Sequence, residues 1–250
     1  MERFAIGKFK ASITDLPKAI DYINKCVIAQ KFNYICVSNA RSAYQSNQEP
    51  DYCEIQNNSL LTVADGRPIS WIAHNLGYKE VGQIAGIELF NGLLKESKKF
   101  GYSHYFFGST DSTLKMMSER LAAEYPDAKL IKVFSPPFQP LEQFGVDSLA
   151  DELNDLKPTF FWVGLGAPKQ ERLMALLQPK LKHTICIGVG LVFEYYAGNV
   201  KRAPKWIRKI GMEWLFRDFQ QKRKRIPPFH VIFKWTIKEI LYSKLKKSTF

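Results

Sequence analysis

"TFFWVGLGAPKQERLMALLQPKL", residues 159–181, decides the fold. Its first seven residues are a continuous apolar run of strand length, two glycines and a proline interrupt it, and the rest spaces apolar residues by three and four. A strand apolar on both faces followed by an amphipathic helix is the repeating unit of a parallel sheet, in which a helix carries the chain back to start the next strand.

The same unit recurs on both sides of this stretch. Strand-like runs are "FNYICVS" (32–38), "LLTVA" (60–64), "SHYFFG" (103–108), "KLIKVFS" (129–135) and "TICIGVG" (184–190). "DSTLKMMSERLAAEY" is a second helical stretch, with Asp111 and Ser112 as candidate caps, and a further helix is expected to start near Pro68. "RFAIGKFKASIT" near the N-terminus reads as a hairpin. The predicted fold class is α/β, a mostly parallel Rossmann-like sheet flanked by helices, preceded by a hairpin and followed by a basic helical appendage.

At 250 residues and 46% hydrophobic, the chain can bury a sizeable core and is not a disordered protein. The N-terminal stretch lacks the apolar segment and cleavage site of a signal peptide, and no run is long enough to span a bilayer, so the expected location is cytoplasmic. The four cysteines form no C-x-x-C pair and lie away from the four histidines, which points to buried free thiols rather than a metal site or a disulfide framework.

The net charge of +12 is located in one place. Residues 199–250 carry fifteen Lys and Arg against three acids, whereas the first 198 residues carry twenty-one of each sign. Strand-like sequence stops at the same boundary, which divides the chain into a domain over 1–198 and an appendage over 199–250.

In open parallel sheets ligands bind beyond the carboxyl ends of the strands. Asn39 follows the first of the six runs, Asp65 the second, Gly108-Ser109-Thr110 the third, and Gly166 with Gln170 and Glu171 the fifth. Two readings of Asp65 stand: a general base for a bound hydroxyl, or a residue that closes a turn or caps the helix starting near Pro68. The "GST" and "GLGAP" turns can aim backbone amides at phosphate oxygens, although neither is a Walker loop or a dinucleotide fingerprint. No D-x-D is present to hold a divalent cation, so a diphosphate falls to arginines, of which the appendage supplies Arg202, Arg208, Arg217, Arg223 and Arg225.

The appendage itself admits three readings: a solvated face, a surface for nucleic acid, or a membrane-binding helix. In residues 229–247, Phe229, Ile232, Phe233, Ile237, Ile240, Leu241 and Leu245 recur near helical spacing with lysines to the side, which suits an anionic membrane surface best.

Taken in order, "VSNA" (37–40), "VADG" (63–66), "AGIELF" (85–90), "FFGST" (106–110), "VGLGAPKQE" (163–171), "IGVGLVFEYYAGNVKRAP" (187–204) and "GMEWLFRD" (211–218) resemble the WecG/TagA/CpsF family of bacterial glycosyltransferases over residues 4–226. The resemblance implies an inverting, metal-independent enzyme without a cofactor. It would move a sugar, of the N-acetylmannosamine type or another hexose, from a UDP-sugar donor to a polyprenyl-diphosphate-linked acceptor during surface polysaccharide synthesis. It also implies that Asp65 is the general base and that Asn39 and Gln170 are polar contacts in the donor pocket. Arg202, Arg217, Arg223 and Arg225 would neutralise the departing UDP. The chain departs from the family pattern at Gln83, Glu88 and Glu194, where members often carry Arg, Asp and Asp. The expected partners are therefore donor, lipid-linked acceptor and the inner face of the membrane rather than nucleic acid, with a homo-oligomer left open. A catalytically silent sugar-nucleotide-binding subunit and a nucleic-acid-binding protein are the alternatives.

Overall fold

The computed structural model describes residues 1–204, 206, 207, 213, 216 and 229–247. Six parallel strands form one sheet: β3 (Tyr34–Ser38), β4 (Leu61–Ala64), β5 (Ser103–Gly108), β6 (Lys129–Phe134), β7 (Phe160–Gly164) and β8 (Ile185–Gly188), in the order β4-β3-β8-β7-β5-β6. Each coincides with one predicted run, trimmed by up to two residues at an end. The hairpin is present as β1 (Arg3–Ile6) and β2 (Phe9–Ser12), an antiparallel pair separate from the main sheet. Arg3 ties it to the domain by donating to Gln56 O, Thr62 Oγ1 and Ser59.

Side chains of β7 alternate between two cores, as the two-residue period of a strand requires. Phe160 and Trp162 enter a cluster with residues of α1 (Leu16–Ile28), α5 (Gly86–Phe100), α6 (Asp111–Glu124) and α9 (Val192–Ala197). Phe161 and Val163 enter the opposite cluster with α7 (Val146–Leu156) and α8 (Lys169–Leu177). Both faces are thus covered by helices, which is why the strands read as unbroken apolar runs. The four cysteines are buried free thiols.

The cap of α6 differs from the expected one. Thr110, in an extended conformation, precedes the helix and its hydroxyl accepts from Thr113 N at 3.3 Å. Asp111 is instead the first helical residue, where its charge faces the positive end of the helix. Two helices absent from the sequence reading, α2 (Ala40–Gln48) and α3 (Pro50–Asn58), cross from β3 to β4. Their composition is polar, with few apolar residues to mark a buried face.

The last described helix, α10 (Phe229–Lys247), packs on α2 and on α4 (Arg67–Asn75). Trp235 meets Tyr44 edge to face at 5.8 Å, and Asn75 donates to Ser243 Oγ at 3.2 Å. Ile232, Thr236 and Ser243 are buried at this contact. Phe233, Ile237, Leu241 and Leu245, spaced by four, remain 41–66% exposed. The apolar set is therefore split, with one part packed on the protein and the other facing outward. No described helix is long and apolar enough to cross a membrane.

Candidate active site

Because all six strands are parallel, the carboxyl ends of β4, β3, β8, β7 and β5 share one edge. That edge brings together Asp65, Asn39, the Gly188–Gly190 turn, the Gly164–Gly166 turn and the Gly108–Ser109 turn. Asp65 is four strand spacings from Ser109, or about 19 Å, with the turn after β7 between them.

Asp65 is half-buried beyond β4, and its backbone N–H donates to Ser38 O at 2.8 Å, which joins the ends of β3 and β4. The residue at the cap of α4 is Gly66, at φ +96°, and this helix has no side-chain cap hydrogen bond. Asp65 therefore stands one position before the cap residue of α4. Asn39 is the N-cap of α2: its Oδ1 accepts from Arg41 N at 3.0 Å and Ser42 N at 3.3 Å. This leaves its Nδ2 as the group to offer a ligand.

The turn after β5 is held by a residue that the sequence reading registered only as a departure. Glu194 accepts from the hydroxyls of Ser109 and Thr113 and, at 2.9 Å, from Asn199 Nδ2. Ser135 Oγ adds a bond to Ser109 O at 2.8 Å. Gly108 adopts φ +121°, and a Cβ there would lie 2.7 Å from the carbonyl carbon of Gly164, so the two turns approach at backbone contact. Ser109 itself sits at φ +62°.

Behind the turn after β7, Gln170 Oε1 accepts from Gly166 N at 3.0 Å and Gln170 Nε2 donates to Glu171 Oε1 at 2.8 Å. Gly166 is at φ +81°, and a Cβ on Gly188 would come within 2.9 Å of Gln170 Nε2, so the glycine makes room for this amide. Gln170 is 3% exposed and Glu171 fully buried. Glu171 thus shapes the turn from behind rather than presenting its carboxyl at an open surface. Burial pushes that carboxyl up to about 7, opposed in part by the hydrogen bond from Gln170. Its Oε2 makes no hydrogen bond.

Arg202 is paired with two carboxylates, Glu88 of the domain (Oε1 at 3.2 Å from Nη1) and Glu213 of the appendage (Oε1 at 3.3 Å from Nε). Glu88 stands in the first turn of α5. An arginine expected to meet a diphosphate is here held by acids, and a ligand phosphate must compete with them. Arg208, Arg217, Arg223 and Arg225 lie outside the described residues. Among the described residues no group of three His, Cys, Asp or Glu converges to hold a metal ion.

Comparison with known proteins gives the family. The family model for the WecG/TagA/CpsF glycosyl transferases matches residues 4–246. An N-acetylglucosaminyldiphosphoundecaprenol N-acetyl-beta-D-mannosaminyltransferase of Bacillus subtilis (strain 168) is 26% identical over 205 residues, covering 82% of this chain and 78% of the relative. A protein of the same description from Staphylococcus aureus (strain NCTC 8325 / PS 47) is 28% identical over 206 residues, covering 78% and 77%. The chain belongs to the WecG/TagA/CpsF glycosyl transferase family.

Proposed function

We propose that the protein transfers an N-acetylmannosamine-type sugar or another hexose from a UDP-sugar to a polyprenyl-diphosphate-linked acceptor, with inversion and without a metal ion. The observation that carries this reading is the position of Asp65, a half-buried carboxylate just beyond β4 at the strand edge of a family glycosyltransferase. In this account the donor lies along the carboxyl edge with its diphosphate at the Gly108–Ser109 and Gly166 turns. Asp65 takes the proton of the acceptor hydroxyl as that oxygen attacks the anomeric carbon, and the C–O bond to UDP breaks on the opposite face. General-base assistance of this kind contributes about 10²- to 10⁴-fold.

Asn39, through Nδ2, and Gln170, through the turn that it braces, contribute to the donor pocket. Arg202, with Arg217, Arg223 and Arg225 of the appendage, offsets the charge of the departing UDP. The division at residue 198 then separates a catalytic body from an appendage that closes the site and meets the membrane. The outward stripe of α10, flanked by the exposed Lys234, Lys238 and Lys244, supports docking on the inner leaflet, where a lipid-linked acceptor resides. The test is UDP release from a panel of UDP-sugars, with a short-chain prenyl-diphosphate-N-acetylglucosamine acceptor, in EDTA. Acceptor-dependent release from one donor that persists in EDTA supports the proposal; release that requires a divalent cation, or none from any donor, overturns it.

A further inference from the structure

Arg67 is the first residue of α4 and stands two positions beyond Asp65. Its side chain makes no hydrogen bond or ion pair with any described residue, and its Nε is shielded from solvent without a partner. Shielding a donor of a charged group without a partner costs free energy, so the arrangement calls for an explanation. Helix stability does not supply one. The first turn of α4 contains no acidic residue, and a cation there opposes the positive end of the helix dipole.

A second unpaired group lies one turn further on. Ser70 is 4% exposed, and its Oγ has no hydrogen-bond partner. Residues three apart share a helix face, so Arg67 and Ser70 are neighbours on the first turn of α4. A guanidinium and a hydroxyl, both lacking partners among the described residues, suit a phosphate ligand, whose oxygens accept charge-assisted hydrogen bonds.

The proposed reaction involves two diphosphates, one that leaves with UDP and one that stays on the acceptor. The turns after β5 and β7 serve the first, and they are about 14–19 Å along the sheet edge from the end of β4. On the other side, α4 packs against α10, which carries the outward apolar stripe. The helix that carries Arg67 and Ser70 is thus packed beside the helix that carries the apolar stripe.

We propose that Arg67, with Ser70 beside it, forms an anion subsite for the diphosphate of the lipid-linked acceptor, distinct from the site for the donor diphosphate. The proposal rests on the reading of the protein as a transferase to such an acceptor, but binding can be measured without turnover. The experiment is isothermal titration of the full chain in EDTA with farnesyl diphosphate, with farnesol and with UDP. Wild type is expected to bind farnesyl diphosphate, and Arg67→Gln to bind it at least tenfold more weakly, while farnesol and UDP affinities stay the same. The melting temperature of the unliganded Arg67→Gln protein should equal or exceed that of wild type, because the substitution neutralises an unpaired charge. Failure of wild type to bind farnesyl diphosphate, or unchanged affinity in the variant, overturns the subsite. An equal loss of UDP affinity also overturns it, by assigning Arg67 to the donor. Arg67-dependent binding in a protein that turns over no UDP-sugar counts against the proposed reaction and leaves the subsite standing.

Discussion

The side-chain amide of Gln170 donates to the buried carboxyl of Glu171 across 2.8 Å, and the same amide accepts from Gly166 in the turn beyond β7. The geometry of a candidate phosphate-binding turn therefore depends on a carboxyl with no exposed surface. The other titratable side chains facing it are Tyr52 from α3 and Cys36 from β3, both pushed up by burial.

Glu171 makes stability fall as pH rises. Its folded value of about 7 exceeds the ordinary 4.5, so the folded state holds a proton that the unfolded state has released. The contribution is complete below about pH 4.5 and is lost as pH rises through 7, with a total on the order of 3 kcal/mol. Glu171→Gln keeps an acceptor for Gln170 and cannot ionise. Urea unfolding at pH 5 and pH 8 should show this loss in wild type and a clearly smaller one in the variant; equal losses would count against a protonated Glu171.

His104 acts with the opposite sign. It is fully buried, within hydrogen-bond distance of Ser97 Oγ at 2.8 Å, and accepts from Trp162 Nε1 at 3.0 Å. Burial pushes it down from 6.5 to about 3, so the unfolded chain takes up the proton first. Stability is full above pH 6.5 and is lost as pH falls toward 3. In His104→Gln, which retains one donor and one acceptor, the decline in melting temperature between pH 6.5 and pH 4 should be shallower than in wild type.

Gly108→Ala should damage the donor end of the site. The added Cβ meets backbone of Gly164 at 2.7 Å in a φ +121° conformation that favours glycine. A loss of roughly 2–4 kcal/mol in stability is expected, read from denaturant midpoints, together with weaker UDP binding. A variant with wild-type stability would show that the two turns are free to move apart.

The structure also shows which part of α10 to alter in a membrane test. Deleting the helix would uncover the surfaces of α2 and α4 that Ile232, Thr236 and Ser243 cover. Replacing Ile237 and Leu241 by Ser leaves those contacts in place. Sedimentation with vesicles containing anionic phospholipid should fall at least tenfold without a drop in melting temperature. Unchanged sedimentation would remove the stripe from the account.

Much of this molecule was legible in its sequence because both sheet faces are covered. Continuous apolar runs mark β3 to β8 directly, and the turns after β3, β4, β5 and β7 mark the candidate ligand edge. Strand order was not legible, because the placement of β8 between β3 and β7 depends on packing between distant segments. The roles of Glu171 and Glu194 were also hidden. A carboxylate beside a glycine turn reads the same whether it faces a ligand or braces the turn from behind, and only burial and partners separate the two. Arg67 gave no signal in sequence, since the missing partner is a property of its surroundings.

The central claim is that Asp65 removes the acceptor proton. Its most direct test is the rate of acceptor-dependent UDP release by Asp65→Asn, measured in EDTA at saturating donor beside the dissociation constant for UDP. The account predicts a fall of about 10²-fold or more in rate with UDP affinity unchanged. A variant that keeps near wild-type turnover would contradict it and return Asp65 to a structural role at the end of β4.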